Sequence, residues 1–249
     1  MIRRVLAALL LAFPVLLTGC SQEQPTANPA APPAKAAPVQ AAQAAAPKPA
    51  APEEPLPALA PALLDPAGAT LQAPADFTVK LETTQGDILI DVHRDWSPNG
   101  ADRFYNLVKI GYFEDIAFFR VISGFMAQVG IHGDPRVNEQ WREANIQDDP
   151  VKQSNTRGMV TFAMSSQPNS RTTQFFISFK DNSNLDGMGF APFGQVRDMG
   201  AVDKLFSGYG EGAPRGRGPN QGKVQMVGNP YLRAEFPKLD YIVKASLVE

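Results

Sequence analysis

Two stretches of this chain set a single charge and a few amides among aromatic and aliphatic residues. In the first, Ala117-Phe118-Phe119-Arg120-Val121-Ile122 is a β-type run, Ser123-Gly124 a turn, and Phe125-Met126-Ala127-Gln128 the start of a second run. In the second, Gln174 heads the short aromatic run Phe175-Phe176-Ile177-Ser178. Side by side, the two would form an apolar cup with a guanidinium and amides at its rim. A guanidinium cannot give up its proton and donates through a planar fork. Such a cup would grip and polarise a ligand; it would not abstract a proton from one.

Other candidate residues carry less. His93 falls at a strand end and His132 in a loop, and both read as structural or solvated. Asp148 and Asp149 are neighbours on a loop without a proton-transfer partner and read as solvated. Two histidines are too few for a histidine-based metal site without carboxylate help. The lone cysteine, Cys20, can form neither an internal disulfide nor a cysteine cluster. No metal and no cofactor is expected. Taken singly, Arg120 would be a solvent-facing residue of a half-buried strand, and Phe125 and Met126 would be core. Only the ordered set points to a site.

The elements that must hold this set begin at Phe77. Residues 77–83 alternate apolar and polar, Gln85-Gly86 turns the chain, and residues 87–92 form the partner strand. Ser97-Pro98 starts a helix, with a hydroxyl as N-cap and proline in the first turn. Ala101, Phe104, Leu107 and Val108 lie on its apolar face, and Gly111 stops it. Residues 131–155 are polar without a clear period and read as loop. Strands are expected at 158–164, 174–178, 193–196 and 239–248, the last with Tyr241, Val243, Ala245 and Leu247 on one face. A second helix is expected at 199–206, burying Val202, Leu205 and Phe206. The Gly/Arg/Pro-rich residues 208–222 read as a solvated loop. Many short strands with two helices predict a mainly-β domain: a closed antiparallel barrel with helices at its ends.

The N-terminus reads as export and anchoring. Arg3 and Arg4 precede an apolar run over residues 5–17, too short and wrongly flanked to span a membrane. Leu17-Thr18-Gly19-Cys20 resembles the bacterial lipobox, which implies acylation of Cys20 and a stable anchor through more than one chain. Ser21 rather than Asp after the cysteine favours the outer over the inner membrane. More than half of the 23 prolines fall in residues 21–75, amid Ala and Gln. This stretch is expected to be a disordered, extended spacer between the signal (1–20) and the folded domain (76–249). Net charge is −2 and the isoelectric point about 5.8. No basic field exists to hold nucleic acid, and the short Arg215-Gly216-Arg217-Gly218 run does not supply one.

With Phe119-Arg120-Val121-Ile122, Gly124-Phe125-Met126-Ala127-Gln128 and Gln174-Phe175-Phe176-Ile177 in this order, the chain resembles the cyclophilin-type peptidyl-prolyl isomerases from about Phe77 to its C-terminus. Residues 190–196, Phe-Ala-Pro-Phe-Gly-Gln-Val, also resemble bacterial members. The resemblance implies an eight-stranded closed antiparallel β-barrel capped by two α-helices. It implies catalysis of rotation about X-Pro bonds, whose barrier is near ~18–20 kcal/mol and whose exchange takes tens to hundreds of seconds. No covalent bond is made; the twisted amide must be bound better than either planar form. By resemblance Arg120 is the donor to the prolyl nitrogen. Phe125, Met126, Phe176 and Leu185 form the proline pocket, with Phe190 a further wall. Gln128 holds Arg120 and the substrate backbone, Gln174 lines the same groove, and the segment from Met164 through Ser165 to Ser166 meets the peptide through its backbone.

Departures from the family pattern are local. Asn184 stands where a Trp is common, which implies weak binding of cyclosporin. Gly189-Phe190 fall where a His often closes the pocket. Val129 replaces a Gly, and Ser165-Ser166 replace an Asn-Ala pair. The expected partners are Pro-containing unfolded or partly folded exported proteins, met by a monomer facing the periplasm. The rival is a tethered chaperone that captures such segments with little need for turnover.

Overall fold

The computed structural model describes residues 58–248. The signal stretch, Cys20 and the spacer up to residue 57 lie outside the described residues. Residues 58–75, expected as the end of the spacer, lie against the body instead. Leu59 and Leu63 pack on the main core. Trp141 donates its indole N–H to the Leu63 carbonyl at 2.8 Å, and Asn106 exchanges two hydrogen bonds with the backbone of Leu71.

The body is mainly β, a nine-stranded antiparallel half-barrel. Its strands are β1 (Asp76–Thr83), β2 (Gly86–His93), β3 (Ile116–Ala117), β4 (Arg120–Ile122), β5 (Met126–Val129), β6 (Met159–Phe162), β7 (Phe175–Ser178), β8 (Pro192–Val196) and β9 (Tyr241–Val248). They lie in the order β3-β9-β1-β2-β8-β6-β7-β5-β4. The outermost strands, β3 and β4, are consecutive in the chain, separated only by Phe118 and Phe119.

Helix α1 (Pro98–Lys109) buries the expected face, with Ala101, Phe104 and Leu107 fully covered. Phe104 is the hub of an aromatic cluster, its ring centroid 5.0–5.5 Å from those of Phe113, Phe175 and Phe193. Its start is capped differently from the expectation. The Ser97 hydroxyl makes no cap within the helix and donates to Asp149 at 2.7 Å. Asp149, which is buried, accepts from the Asn99 and Gly100 amides and caps the helix from the far loop. A carboxylate is favoured there by the orphan amides and the helix dipole.

Three further helices are short: α2 (Pro135–Trp141), α3 (Gln221–Val227) and α4 (Asn229–Glu235). The expected loop 131–155 therefore contains α2, whose N-cap Asp134 accepts from the Arg136 amide. The expected second helix at 199–206 shrinks to a 3-10 turn, Val202–Lys204. Its continuation is prevented because the Phe206 amide bonds the Asp240 carboxylate at 2.6 Å and Leu205 is already extended. In β9 the register against β1 shifts between Glu82 and Thr83. That bulge turns Ile242 inward and leaves Val243 52% exposed, reversing the expected alternation at this point.

Candidate active site

Three adjacent strands form the floor. Arg120 faces Gln128 across β4 and β5, and Gln128 faces Phe176 across β5 and β7. Paired residues share a sheet face, and neighbours along a strand alternate. Arg120, Gln128 and Phe176 therefore make one row, with Ile122 and Met126 on the same side. Their neighbours Val121, Ala127, Val129, Phe175 and Ile177 point the other way, into the main core. Period-two alternation thus separates core from site.

The site face is apolar at its base. Met126, Phe176 and Leu185 form a separate buried cluster, against which Ile122, Phe125, Ala163 and Phe190 pack. The Phe176 and Phe190 rings meet edge-on at 5.8 Å. Leu185 arrives on the 3-10 turn Ser183–Met188, which Asp186 ties down through the Asn155 amide and side chain at 2.9 and 2.7 Å. Asn155 also donates to the Phe190 carbonyl at 2.8 Å, and Arg171 donates to that of Gly189. Leu185 and Phe190 are thus fixed by one buried polar hub.

Above this base stand the polar groups. Arg120 Nη1 donates to Gln128 Oε1 at 2.9 Å and lies 3.8 Å from Met126 Sδ. Gln128 in turn donates to Gln174 Oε1 at 3.0 Å. The other edge of the guanidinium meets Glu211: Nε to Oε1 at 2.6 Å and Nη2 to Oε2 at 2.7 Å. The Arg120 guanidinium, bonded to the carboxylate, holds Glu211 below the usual carboxylate range, aided by the Gly212 amide and the Arg215 charge.

A groove of about 800 Å³ runs over this constellation. Arg120, Phe125, Met126, Gln128, Met164, Ser165, Gln174, Phe176, Leu185 and Phe190 all line it, whereas Ser166, expected beside Ser165, does not. Met164 is half-buried and Ser165 exposed. The Ser165 amide is already bonded to Ser170 Oγ at 2.9 Å and is not free for a ligand. Arg103 of α1 donates to the carbonyls of Ala144 and Thr172, and burial pushes its pKa down to about 10.

One wall departs from the expectation. Glu211 and the following residues to Arg215, with Pro219, line the groove, although the composition of 208–222 predicts a solvated loop. A β-bridge between Gly210 and Val121 fastens this loop to β4. A lone acid inside a run otherwise rich in Gly, Pro and Arg was the only trace in the sequence. Arg142, at the end of α2, adds another cation to the lining. The histidines lie elsewhere: His93 bonds Asp76 and stacks on Trp96, and His132 is buried with Nδ1 accepting from the Asp134 amide at 2.9 Å.

Comparison with known proteins agrees on the family. The family model described as "Cyclophilin type peptidyl-prolyl cis-trans isomerase/CLD" matches residues 78–220. A peptidyl-prolyl cis-trans isomerase of Acinetobacter baylyi is 34% identical over 137 residues, covering 53% of this chain and 72% of the relative. Peptidyl-prolyl cis-trans isomerase B of Escherichia coli is 30% identical over 179 residues, covering 68% and 98%. In fold, the chain is similar to the crystal structure of a Cryptosporidium parvum cyclophilin type peptidyl-prolyl cis-trans isomerase. The TM-score is 0.53 at 19% identity, over 70% of this chain and 98% of that one.

Proposed function

Because this chain belongs to the cyclophilin-type peptidyl-prolyl cis-trans isomerases, we propose that it turns X-Pro bonds without covalent chemistry, using Arg120 as donor and the neighbouring apolar cluster as a proline socket. One observation carries the reading: the Arg120 guanidinium stands at the mouth of the Met126/Phe176/Leu185 cluster, its Nη1 3.8 Å from Met126 Sδ. A proline ring on that base would bring its nitrogen under a permanent cation.

As the amide twists, conjugation is lost and the prolyl nitrogen regains its lone pair. A donor that meets the lone pair only then lowers the barrier without tightening the planar forms. A charge-assisted bond contributes roughly 1.5–3 kcal/mol, which at tenfold per 1.36 kcal/mol is about ten- to a hundredfold in rate. The remainder falls to the socket, where Phe125, Met126, Phe176 and Leu185 hold the ring while the flanking chain rotates, and Phe190 closes the side. Gln128 orients Arg120 and, with Gln174, takes the substrate backbone. Met164 and Ser165 border the flanking residue.

The sheet is read as a barrel closed by its own chain. Counted as one strand interrupted at Phe118-Phe119, β3 and β4 give eight strands and join the two ends of the ladder. From the sequence of the N-terminus we infer a lipid on Cys20, an envelope location and exported proteins as clients. Incorporation of labelled palmitate that vanishes in Cys20→Ala tests the anchor.

The activity is tested by following cis–trans relaxation of a Pro-containing tetrapeptide with the full chain. Acceleration is expected, and its absence would refute the reading. Refolding of a client protein in parallel separates the rival chaperone: protection unchanged in Arg120→Ala with no catalysis in the parent would favour capture over turnover.

A further inference from the structure

We propose that Glu211 is a positioning residue for Arg120, holding the guanidinium so that its remaining N–H groups face the proline socket. The inference rests on Arg120 being the catalytic donor.

An arginine side chain has many rotamers, and a donor that must meet a transient lone pair gains from being held in one of them. Arg120 is held at both edges. Gln128 Oε1 takes one Nη1 hydrogen at 2.9 Å, and the Glu211 carboxylate takes Nε and Nη2 in a bidentate fork at 2.6 and 2.7 Å. Of five N–H groups, this leaves the second on Nη1, which meets only the weak thioether acceptor of Met126 at 3.8 Å, and one on Nη2. The carboxylate therefore grips the edge of the fork away from the socket.

Glu211 is itself fixed. Its Oε1 accepts from the Gly212 amide at 2.9 Å, and its carbonyl accepts from Gly218 at 2.8 Å. The loop closes on itself through Gly212 and Gly218 and is bridged to β4 one residue before Glu211 and one after Arg120. A Cβ added at Gly216 would stand 2.2 Å from the Glu211 carbonyl, so the loop packs without room for a side chain there. The brace and the residue it braces are thus carried on paired backbone.

The test compares the full chain with Glu211→Ala, Glu211→Gln, Arg120→Ala and the double variant Arg120→Ala/Glu211→Ala. Each is checked for a cooperative melt and assayed for kcat and KM on a Pro-containing tetrapeptide. In Glu211→Ala, kcat is expected to fall about ten- to a hundredfold, the usual cost of a misplaced catalytic group, with KM within about twofold. Glu211→Gln keeps an acceptor oxygen and recovers most of the loss. In the Arg120→Ala background, removing Glu211 changes nothing further, because the two act as a unit.

An unchanged kcat in Glu211→Ala would overturn the inference. So would a rise in kcat/KM through a lower KM, which would make Glu211 a competitor of substrate. An equal loss with or without Arg120 would also overturn it, as that marks a role in loop folding alone. If Glu211→Ala lost its cooperative melt, Glu211→Asp, with a shorter reach, would carry the same comparison. Wild-type rate in Arg120→Ala would instead remove the assignment of Arg120 on which the proposal rests.

Discussion

The floor of the groove and its rim are built on different principles. The floor is three neighbouring strands, β4, β5 and β7, whose alternation sends Val121, Ala127, Phe175 and Ile177 into the core and Met126 and Phe176 to the site. The rim is a glycine-rich loop that delivers Glu211 to Arg120 from 91 residues further along the chain. The floor depends on buried apolar area and would persist without the rim. The rim depends on backbone hydrogen bonds within the glycine-rich loop and on one ion pair whose partners are 24% and 34% exposed. Such a pair adds little to stability in high dielectric, so its value lies in geometry. Stability and catalysis should therefore be separable in this molecule.

Adjacent residues of β7 give the largest test of that separation. Phe175, fully buried among Phe104, Phe113 and Phe193, faces the core. Phe175→Ala is expected to cost about 3–5 kcal/mol in urea unfolding. Phe176→Leu, on the opposite face, should cost less than about 1.5 kcal/mol while raising KM roughly tenfold through the poorer socket. Equal effects on stability from the two changes would break the division of faces.

Next is Gly130, where β5 leaves the floor. It has φ +109, and a Cβ would lie 2.4 Å from the Thr173 carbonyl oxygen. The same spot carries a bond from Thr173 Oγ1 to the Gly130 carbonyl at 2.8 Å. Gly130→Ala should cost at least ~2 kcal/mol from the left-handed backbone alone, and more from the clash. A midpoint within error of wild type would show that the approach of β5 to the segment before β7 is not needed.

The smallest effect is a pH dependence from His132, away from floor and rim. Burial lowers its pKa from the ordinary 6.5, against the opposing pull of the Asp134 and Asp115 carboxylates. The folded state binds fewer protons than the unfolded state below about pH 6.5, so stability should be full above that value. It should decline as pH falls through 6.5 toward the lower folded value, by at most about 1.4 kcal/mol per pH unit. Melts between pH 5 and 7 should show this slope in wild type and lose it in His132→Asn.

The difference between floor and rim also explains what could be read from the sequence. Strands β1 and β2 and helix α1 are legible because apolar residues at period two or 3.6 must be buried together, and β7 because it is a short run of aromatic and β-branched residues. The cup around Arg120 was readable because its polar and aromatic residues lie within two short runs that pair directly. Helix α2 was hidden by its polar composition: only Val137, Asn138 and Trp141 are buried, and its start lies in Asp134-Pro135 rather than in any period. Residues 58–75 have a proline-rich composition that suits an extended spacer, yet Leu59, Leu63 and Ala69 pack on the main core. The roles of Asp149 and Glu211 are illegible in the sequence for a common reason. Each acts across the fold, on a helix N-terminus or on a guanidinium, and nothing local to a loop carboxylate reveals a distant partner.

In the proposed mechanism the Arg120 guanidinium acts on the twisted amide rather than on the planar bound peptide. Two-dimensional NMR exchange measures both at once, giving the affinity of a Pro-containing tetrapeptide and its cis–trans exchange rate while bound. Arg120→Ala is predicted to bind within a few-fold of wild type while on-enzyme exchange falls about ten- to a hundredfold, the loss of one charge-assisted bond made in the transition state. Exchange at the wild-type rate in Arg120→Ala, or a loss confined to affinity, would contradict the account.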